Sequence, residues 1–379
     1  MFIKFNASTN PTIGLELEVQ TINSRTGELV AGAQIILSQL QGNLYYKPEL
    51  FTSTVEINTP VCDTISELDE ALREILKQLM QIAAESNLGI LISGCHPFAS
   101  WQQQQITQQE RYQNLLHRIQ WPVRQFLIFG LHVHVGVDQA DKAIYIMHRL
   151  TQYIPHLIAL SASSPFWNGY DTGLAASRIK IFEELPNAGI PYYFPDWKSY
   201  SRLVKNLILT NSIDTVRDIW WDIRPHPIFG TVEIRVCDAM PTVKENMALT
   251  TLIYLLVLKF GREFDENHRI APTPRWILEE NKWRAARYGI RGNIILNETG
   301  ETQHITEAIC KMYEDLLKFI DNIDLGYTKK YIELIPELIR KGPSYLRQRQ
   351  WYRKRPGDYK FIVDNLQRET HEDRLLDDV

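Results

Sequence analysis

The sequence predicts an α+β fold: a mostly antiparallel sheet with helices packed on one face, and a mainly helical C-terminal portion. Three observations carry this. Short segments in the first part of the chain alternate apolar and polar residues, the period of a half-buried strand. Between them lie helical periods such as SELDEALREILKQLMQIAAES (66–86), with Leu68, Ala71, Leu72, Ile75, Leu76, Leu79, Ile82 and Ala83 in one stripe. From about residue 274 onward the pattern is helical throughout, and residues 1–379 are expected to form one domain.

The elements follow in order. TIGLELEVQTI (12–22) and TSTVEINTP (52–60) alternate, and LGILISGCHPF (88–98) reads as a strand ending at a proline. GLHVHVGV (130–137) is a further strand, followed by a long helix from about Gln139 to Ser161. Residues 164–197 are rich in Gly, Pro, Asn and Asp and read as an extended loop, whose aromatics argue against disorder. WWDIRP (220–225) and GTVEIRVCD (230–238) return to alternation, and VKENMALTTLIYLLVLKFG (243–261) is a buried helix. The chain closes on an acidic tail, HEDRLLDDV (371–379).

Composition excludes several function classes. A net charge of −4 gives no general attraction to nucleic acid or membrane surfaces. The basic run RQRQWYRKRP (347–356) reads as a solvated helix end. Cys62, Cys95, Cys237 and Cys310 are far apart, as expected of free thiols in a reducing compartment. MFIKFNASTNP lacks the apolar core of a signal peptide, and the most apolar run, TLIYLLVLKF (251–260), is too short to span a bilayer. The expectation is a cytoplasmic protein.

The polar faces of the strands hold the chemistry. Side chains alternate along a strand, so His132 and His134 share a face about 6–7 Å apart. Glu16 and Glu18 share a face in GLELEVQ, as do Glu56 and Asn58, Asp222 and Arg224, and Glu233 and Arg235 in their segments. An ordinary solvated strand face shows Thr, Lys, Ser and Gln in mixture, whereas these faces offer glutamates, histidines and arginines. Like charges side by side repel, so Glu16 and Glu18 call for a cation. Carboxylates with one or two imidazoles suit Mg²⁺ or Mn²⁺ better than zinc, and no HExxH is present. His132 and His134 suit either metal ligation or hydrogen bonding to phosphate. Arg224 and Arg235 suit either phosphoryl oxygens or an ion pair with a neighbouring glutamate. There is no P-loop, no GxGxxG after a strand and no GxSxG. Acids holding metal beside arginines are the usual means of phosphoryl transfer.

These residues lie in a series of longer motifs: GLELEVQ, TVEINTP, GCHPF, ERYQ, GLHVHVG, SASSPFWNGYDTGLAASR, LPNAGIP, WDIRPHPIFGTVEIRVCD and RYGI. Together, from about residue 10 to 290, they resemble the YbdK-type carboxylate–amine ligases, a glutamate–cysteine ligase-like family with a glutamine synthetase-related fold. The resemblance implies a funnel of antiparallel strands, helices on its outer face, whose polar concave face binds ATP and Mg²⁺. It implies condensation of a carboxylate, typically the γ-carboxyl of glutamate, with an amine, typically that of cysteine, through an acyl phosphate. Carried over, it places metal ligands at Glu16, Glu18, Glu56, His132, His134 and Glu233. It gives Arg178, Arg224 and Arg235 contacts to phosphate or substrate carboxylate, with Arg235, His132 and His134 also touching the nucleotide. It further implies a homodimer. Glu110 and His96 fall in the motifs without assigned chemistry. Segment 171–195, with Gly173, Gly189, Pro186 and Pro191, is the expected lid over a water-sensitive intermediate. The competing readings are a guanidino-kinase-like phosphotransferase and a catalytically silent protein that binds nucleotide or amino acid.

Overall fold

The computed structural model describes residues 3–269, 271–322 and 325–376. Its centre is a seven-stranded sheet with every pairing antiparallel. The strands are β1 (Ile13–Asn23), β2 (Tyr46–Pro48), β3 (Thr54–Asn58), β4 (Leu88–Leu91) and β5 (Gly130–Gly136). Two further pairs follow outside this sheet, β6 (Phe166–Trp167) with β7 (Tyr170–Asp171) and β8 (Ala188–Gly189) with β9 (Trp220–Trp221). The large sheet is completed by β10 (Ile223–His226) and β11 (Thr231–Asp238), and β12 (Asn293–Ile295) pairs with β13 (Thr302–His304) near the C-terminal helices. The order is β10–β11–β5–β1–β3–β2, and β4 continues the edge of β1 that β5 begins.

Alternation in β1 decides which side becomes core. Ile13, Leu15, Leu17 and Val19 are buried on the helix-covered face, while Glu16 and Glu18 point to the concave one. Each buried aliphatic of this size contributes about 1.5–3 kcal/mol. The helix Ile65–Glu85 lays its apolar stripe on that layer and starts at Thr64, whose side chain accepts from Glu67 N. The helix Val243–Asp265 is buried almost all round and opens with a reciprocal Thr242–Glu245 cap.

Several expectations change. The helix expected over 139–161 is two, Ala140–Thr151 and Ile154–Ser161, because Pro155 in the second helix's first turn cannot continue the preceding ladder. Segment 164–197 is built from β6, β7, the helix Ser177–Phe182 and β8, before the helix Trp197–Leu209 begins. The C-terminal part is interrupted by the β12–β13 hairpin. The basic run at 347–356 begins in the core: Arg347 is buried, held by Glu245 at 2.8 Å and by Glu369 at 2.7 and 3.0 Å. Part of the acidic tail, residues 377–379, lies outside the described residues. Among the described residues no helix is long and apolar enough to cross a membrane.

Candidate active site

Register stacks the polar residues into three rows across the concave face. The first runs Arg224, Glu233, His134, Gly14 across β10, β11, β5 and β1. The second runs His132, Glu16, Asn58 across β5, β1 and β3. The third runs Glu18, Glu56, Lys47 across β1, β3 and β2. A bulge in β11 between Ile234 and Cys237 adds a residue on the β5 side, while the Arg235 N–H donates to Asp222 O at 2.8 Å, continuing the β10 side.

The rows line a cavity of ≈ 230 Å³ holding Glu16, Glu18, Glu56, His132, His134, Arg224, Glu233 and Arg235. Every proposed metal ligand is therefore in one place. Ligand atoms of Glu16, His134 and Glu233 lie within 4.8 Å of one another. His134 Nδ1 is 3.1 Å from Thr231 Oγ1, and its buried Nε2, 3.6 Å from Glu16 Oε1, has no hydrogen-bond partner. His132 Nδ1 is 3.3 Å from Glu16 Oε2, and its Nε2 is also buried without a hydrogen-bond partner.

Electrostatics divides the acids into two groups. Burial acts to raise Glu16, but the His132 contact and the charge of the nearby His134 and His132 imidazoles hold it well below the usual carboxylate range. Burial likewise acts on Glu233, and Arg224 and Arg235 outweigh it. Glu18 is pushed up to about 7 by burial, offset in part by Arg178 and reinforced by Glu56. Glu56 is raised well above its ordinary value by burial and by its neighbours Glu49 and Glu16, and Glu49 is raised by burial and Glu18. Crowded carboxylates of this kind are what a divalent cation relieves. An unpartnered imidazole nitrogen beside ionised Glu16 and Glu233 fits a hard cation that accepts oxygen with some nitrogen.

Arg224 and Arg235 line the cavity, both bonded to Glu233. Arg178 is placed differently. It reaches the deep end of the concave face from the helix Ser177–Phe182, 1% exposed, and is not among the cavity-lining side chains. Its guanidinium fills the space a Cβ on Gly130 would need, and its Nη2 donates to Arg235 O at 3.2 Å. Asp222 leaves the face assigned to it. The chain changes partners there, from β8 to β11, and the Asp222 carboxylate turns to the buried Lys282 at 2.6 and 2.8 Å. Lys282 also meets Glu183 at 2.6 Å. His96 is a structural residue: Nε2 lies 2.9 Å from Gly27 O, and Nδ1 accepts from Phe98 and Ala99 N–H.

Sequence reasoning missed Glu49, Arg111, Tyr112, Arg217 and Trp220, all of which line the cavity. Glu49 follows Pro48 at a strand end, so no alternation marks it. Arg111 sits beside Glu110 in the ERYQ motif, on the helix Glu110–Ile119. The expected lid, 171–195, contributes Leu185 to the lining, whereas residues 108–126 contribute Arg111, Tyr112, Leu115, Val123 and Phe126. Arg118 ties this second segment to the facing turn, with Nη1 3.1 Å from both Asp214 Oδ2 and Asp218 Oδ2.

Residues 12–374 match glutamate-cysteine ligase family 2. The chain belongs to that family. Among the relatives of this glutamate-cysteine ligase family 2 chain, "Putative glutamate–cysteine ligase 2-1" of Frankia alni is 41% identical over 380 residues, covering 99% of both chains. "Putative glutamate–cysteine ligase 2" of Gloeobacter violaceus is 40% identical over 359 residues, covering 93% of this chain and 95% of its own. Of solved structures, a glutamate–cysteine ligase from Francisella tularensis in complex with AMP superposes with a TM-score of 0.71 at 14% identity, covering 98% of this chain and 91% of that one. A bifunctional glutathione synthetase from Pasteurella multocida gives 0.71 at 13%, covering 96% of this chain, which spans 52% of that longer protein. At these identities the structural likeness speaks for the fold alone, and it is the antiparallel glutamate–cysteine ligase fold the motifs implied.

Proposed function

We propose that this chain is an ATP-dependent carboxylate–amine ligase that joins the γ-carboxyl of glutamate to an amine, cysteine being the first candidate. The observation that carries the reading is the meeting of Glu16, His134 and Glu233 within 4.8 Å, beside two arginines on the same concave face. The names carried by relatives near 40% identity point to the same reaction.

Glu16, His134 and Glu233, with Glu18, Glu49 and Glu56 next to them, would hold Mg²⁺, which when bound offsets the charge of the phosphate oxygens. A carboxylate oxygen of the acid attacks the γ-phosphorus of ATP, and the bond to the bridging oxygen breaks to release ADP. The amine nitrogen then attacks the acyl carbon, loses a proton, and phosphate leaves. Arg235 sets a guanidinium beside the transferring phosphoryl group and stabilises the charge that spreads over it, while Arg224, whose nitrogens are held by Glu233, Arg217 O and Ile219 O, adds its positive charge alone. Arg178, through Arg235 O, holds that arginine's backbone at the bulge. Leu115, Val123, Phe126, Leu185 and Trp220 form an apolar wall that excludes water from the acyl phosphate.

The test is phosphate release from MgATP with glutamate and a panel of amines, for the wild type and for Glu16→Gln. A matching amide mass that disappears in Glu16→Gln supports the reading. Undiminished turnover in Glu16→Gln removes the cluster from the mechanism.

A further inference from the structure

Arg235 sits at the β11 bulge, where the ladder to β5 is interrupted. A bulge loosens the regular pairing that fixes a strand, so other groups must set where the side chain points. Both ends of the Arg235 residue have such a support. Its N–H donates to Asp222 O at 2.8 Å, and its C=O accepts from Arg178 Nη2 at 3.2 Å.

Neither support stands by itself. Asp222 lies where the chain passes from the β8–β9 pair to the β10–β11 pair, so no continuous ladder holds it. Arg178 comes from the helix Ser177–Phe182, six residues that end at Glu183 and are too few to be stable alone. One side chain meets both. Lys282, buried on the helix Arg275–Tyr288, places Nζ 2.8 and 2.6 Å from the two Asp222 carboxylate oxygens and 2.6 Å from Glu183 Oε1. The three donors of its ammonium thus have three carboxylate oxygens. Lys180 also pairs with Glu183, so two lysines offset two carboxylates.

The same helix reaches the Arg178 arm a second time. One turn beyond Lys282, Ala286 O accepts from Ala175 N–H at 2.8 Å and from Ala176 N–H at 3.0 Å, just ahead of Arg178. The helix is itself anchored, because the Asn281 amide bonds Ile295 N–H and C=O at 2.7 and 2.8 Å. We propose that Lys282 is a positioning residue: it stands outside the cavity and sets the direction of the Arg235 guanidinium by fixing the two groups that hold the Arg235 backbone. The proposal rests on the ligase reading above and adds to it a residue that meets no substrate. A shift of about 1 Å at a reacting group can cost about a hundredfold in rate, so a support at this remove is enough to govern turnover.

Lys142 supplies the comparison. It too is buried between two carboxylates, Asp138 and Asp265 at 2.9 and 2.8 Å, and none of the three lines the active-site cavity. The experiment compares Lys282→Met and Lys142→Met with wild type at a temperature where circular dichroism shows each folded. Removing one partner of a buried pair strands the other charge. Lys282→Met combined with Asp222→Asn, which leaves no ionised Asp222, therefore stands in if the single variant does not fold. The readouts are hydrogen exchange over residues 230–238, and kcat and KM for MgATP with the carboxylate and amine that the wild type accepts. In Lys282→Met the expected result is exchange at least tenfold faster, kcat at least tenfold lower and KM within about twofold of wild type. Lys142→Met should leave exchange in that segment and kcat within about twofold of wild type. Exchange or kcat close to wild type in Lys282→Met overturns the assignment and leaves the ligase reading standing. Equal loss of kcat in both lysine variants also overturns it, because the loss would then follow stability. A wild type that releases no phosphate with any pair removes the ligase reading, and this assignment with it.

Discussion

Arg224 grips Glu233 with two parallel bonds, Nε to Oε2 at 2.7 Å and Nη2 to Oε1 at 3.2 Å, in side chains 8% and 1% exposed. Arg235 adds a further bond to Oε1. Glu233 thus serves two ends: its charge faces Glu16 and His134, and it is the counter-ion shared by two buried guanidiniums.

Glu233→Gln removes a counter-ion that both arginines share. Breaking a buried pair in this way costs about 3–5 kcal/mol. The expected outcome is lost turnover together with a large drop in the urea midpoint. Glu16 is 23% exposed and, among the described residues, paired with His132 and His134, so Glu16→Gln should abolish turnover with a smaller loss of stability than Glu233→Gln. Chemical denaturation of both variants checks the difference, and equal destabilisation would contradict it.

A cation held by Glu16, His134 and Glu233 stabilises the folded chain by mass action, about 2.7 kcal/mol at a hundredfold excess over its Kd. Mg²⁺ or Mn²⁺ should therefore raise the unfolding temperature of the wild type. His134→Asn should erase most of that rise. A full rise in the variant would show that the ion binds elsewhere.

The segment carrying Arg111, Tyr112, Leu115, Val123 and Phe126 is fastened to the opposite rim through Arg118, in an exposed and salt-screened pairing. Gln120, at φ 61, sits at its bend without glycine's freedom, a strained position of the kind that marks functional segments. Arg118→Ala should change stability by less than about 1 kcal/mol. It should nonetheless raise the ratio of phosphate released to amide formed, because water reaches the acyl phosphate. Comparing phosphate with product mass at 0.05 and 0.5 M salt, ionic strengths of order set by the screening argument, checks it. A ratio that never departs from one phosphate per amide would sink the idea.

Burial holds His96, His148 and His156 down to about 4, so they are neutral when folded. Their folded values lie below the unfolded value of about 6.5. Between these limits the unfolded chain binds more protons, so stability rises with pH and is lost as pH falls from about 6.5 toward 4. Each contributes up to about 1.4 kcal/mol per pH unit in that window. His156→Phe should flatten the dependence of the unfolding temperature on pH below 6.5. An unchanged slope would contradict the assignment.

The sequence reading succeeded where a face repeats every second residue. Glu16 and Glu18, His132 and His134, and Glu233 and Arg235 each line the same cavity because the strand itself aligns them on one face. It failed where the chain departs from the ladder. Asp222 shares parity with Arg224, yet the strand changes partners there and Lys282 captures the carboxylate. Glu49 lies at the end of a three-residue strand, and Arg111 on a helix that crosses the sheet, so their arrival in the cavity is tertiary. Arg347 reads as one of a basic cluster, and only the fold brings Glu245 and Glu369 to it.

The most direct test of the account is a coupled measurement of phosphate and product from MgATP, glutamate and cysteine, with other amines in parallel. The account predicts phosphate release only when carboxylate and amine are both present, with one amide of matching mass per phosphate. ADP with a stable phosphorylated acceptor and no free phosphate would contradict it and make this concave face the site of a kinase.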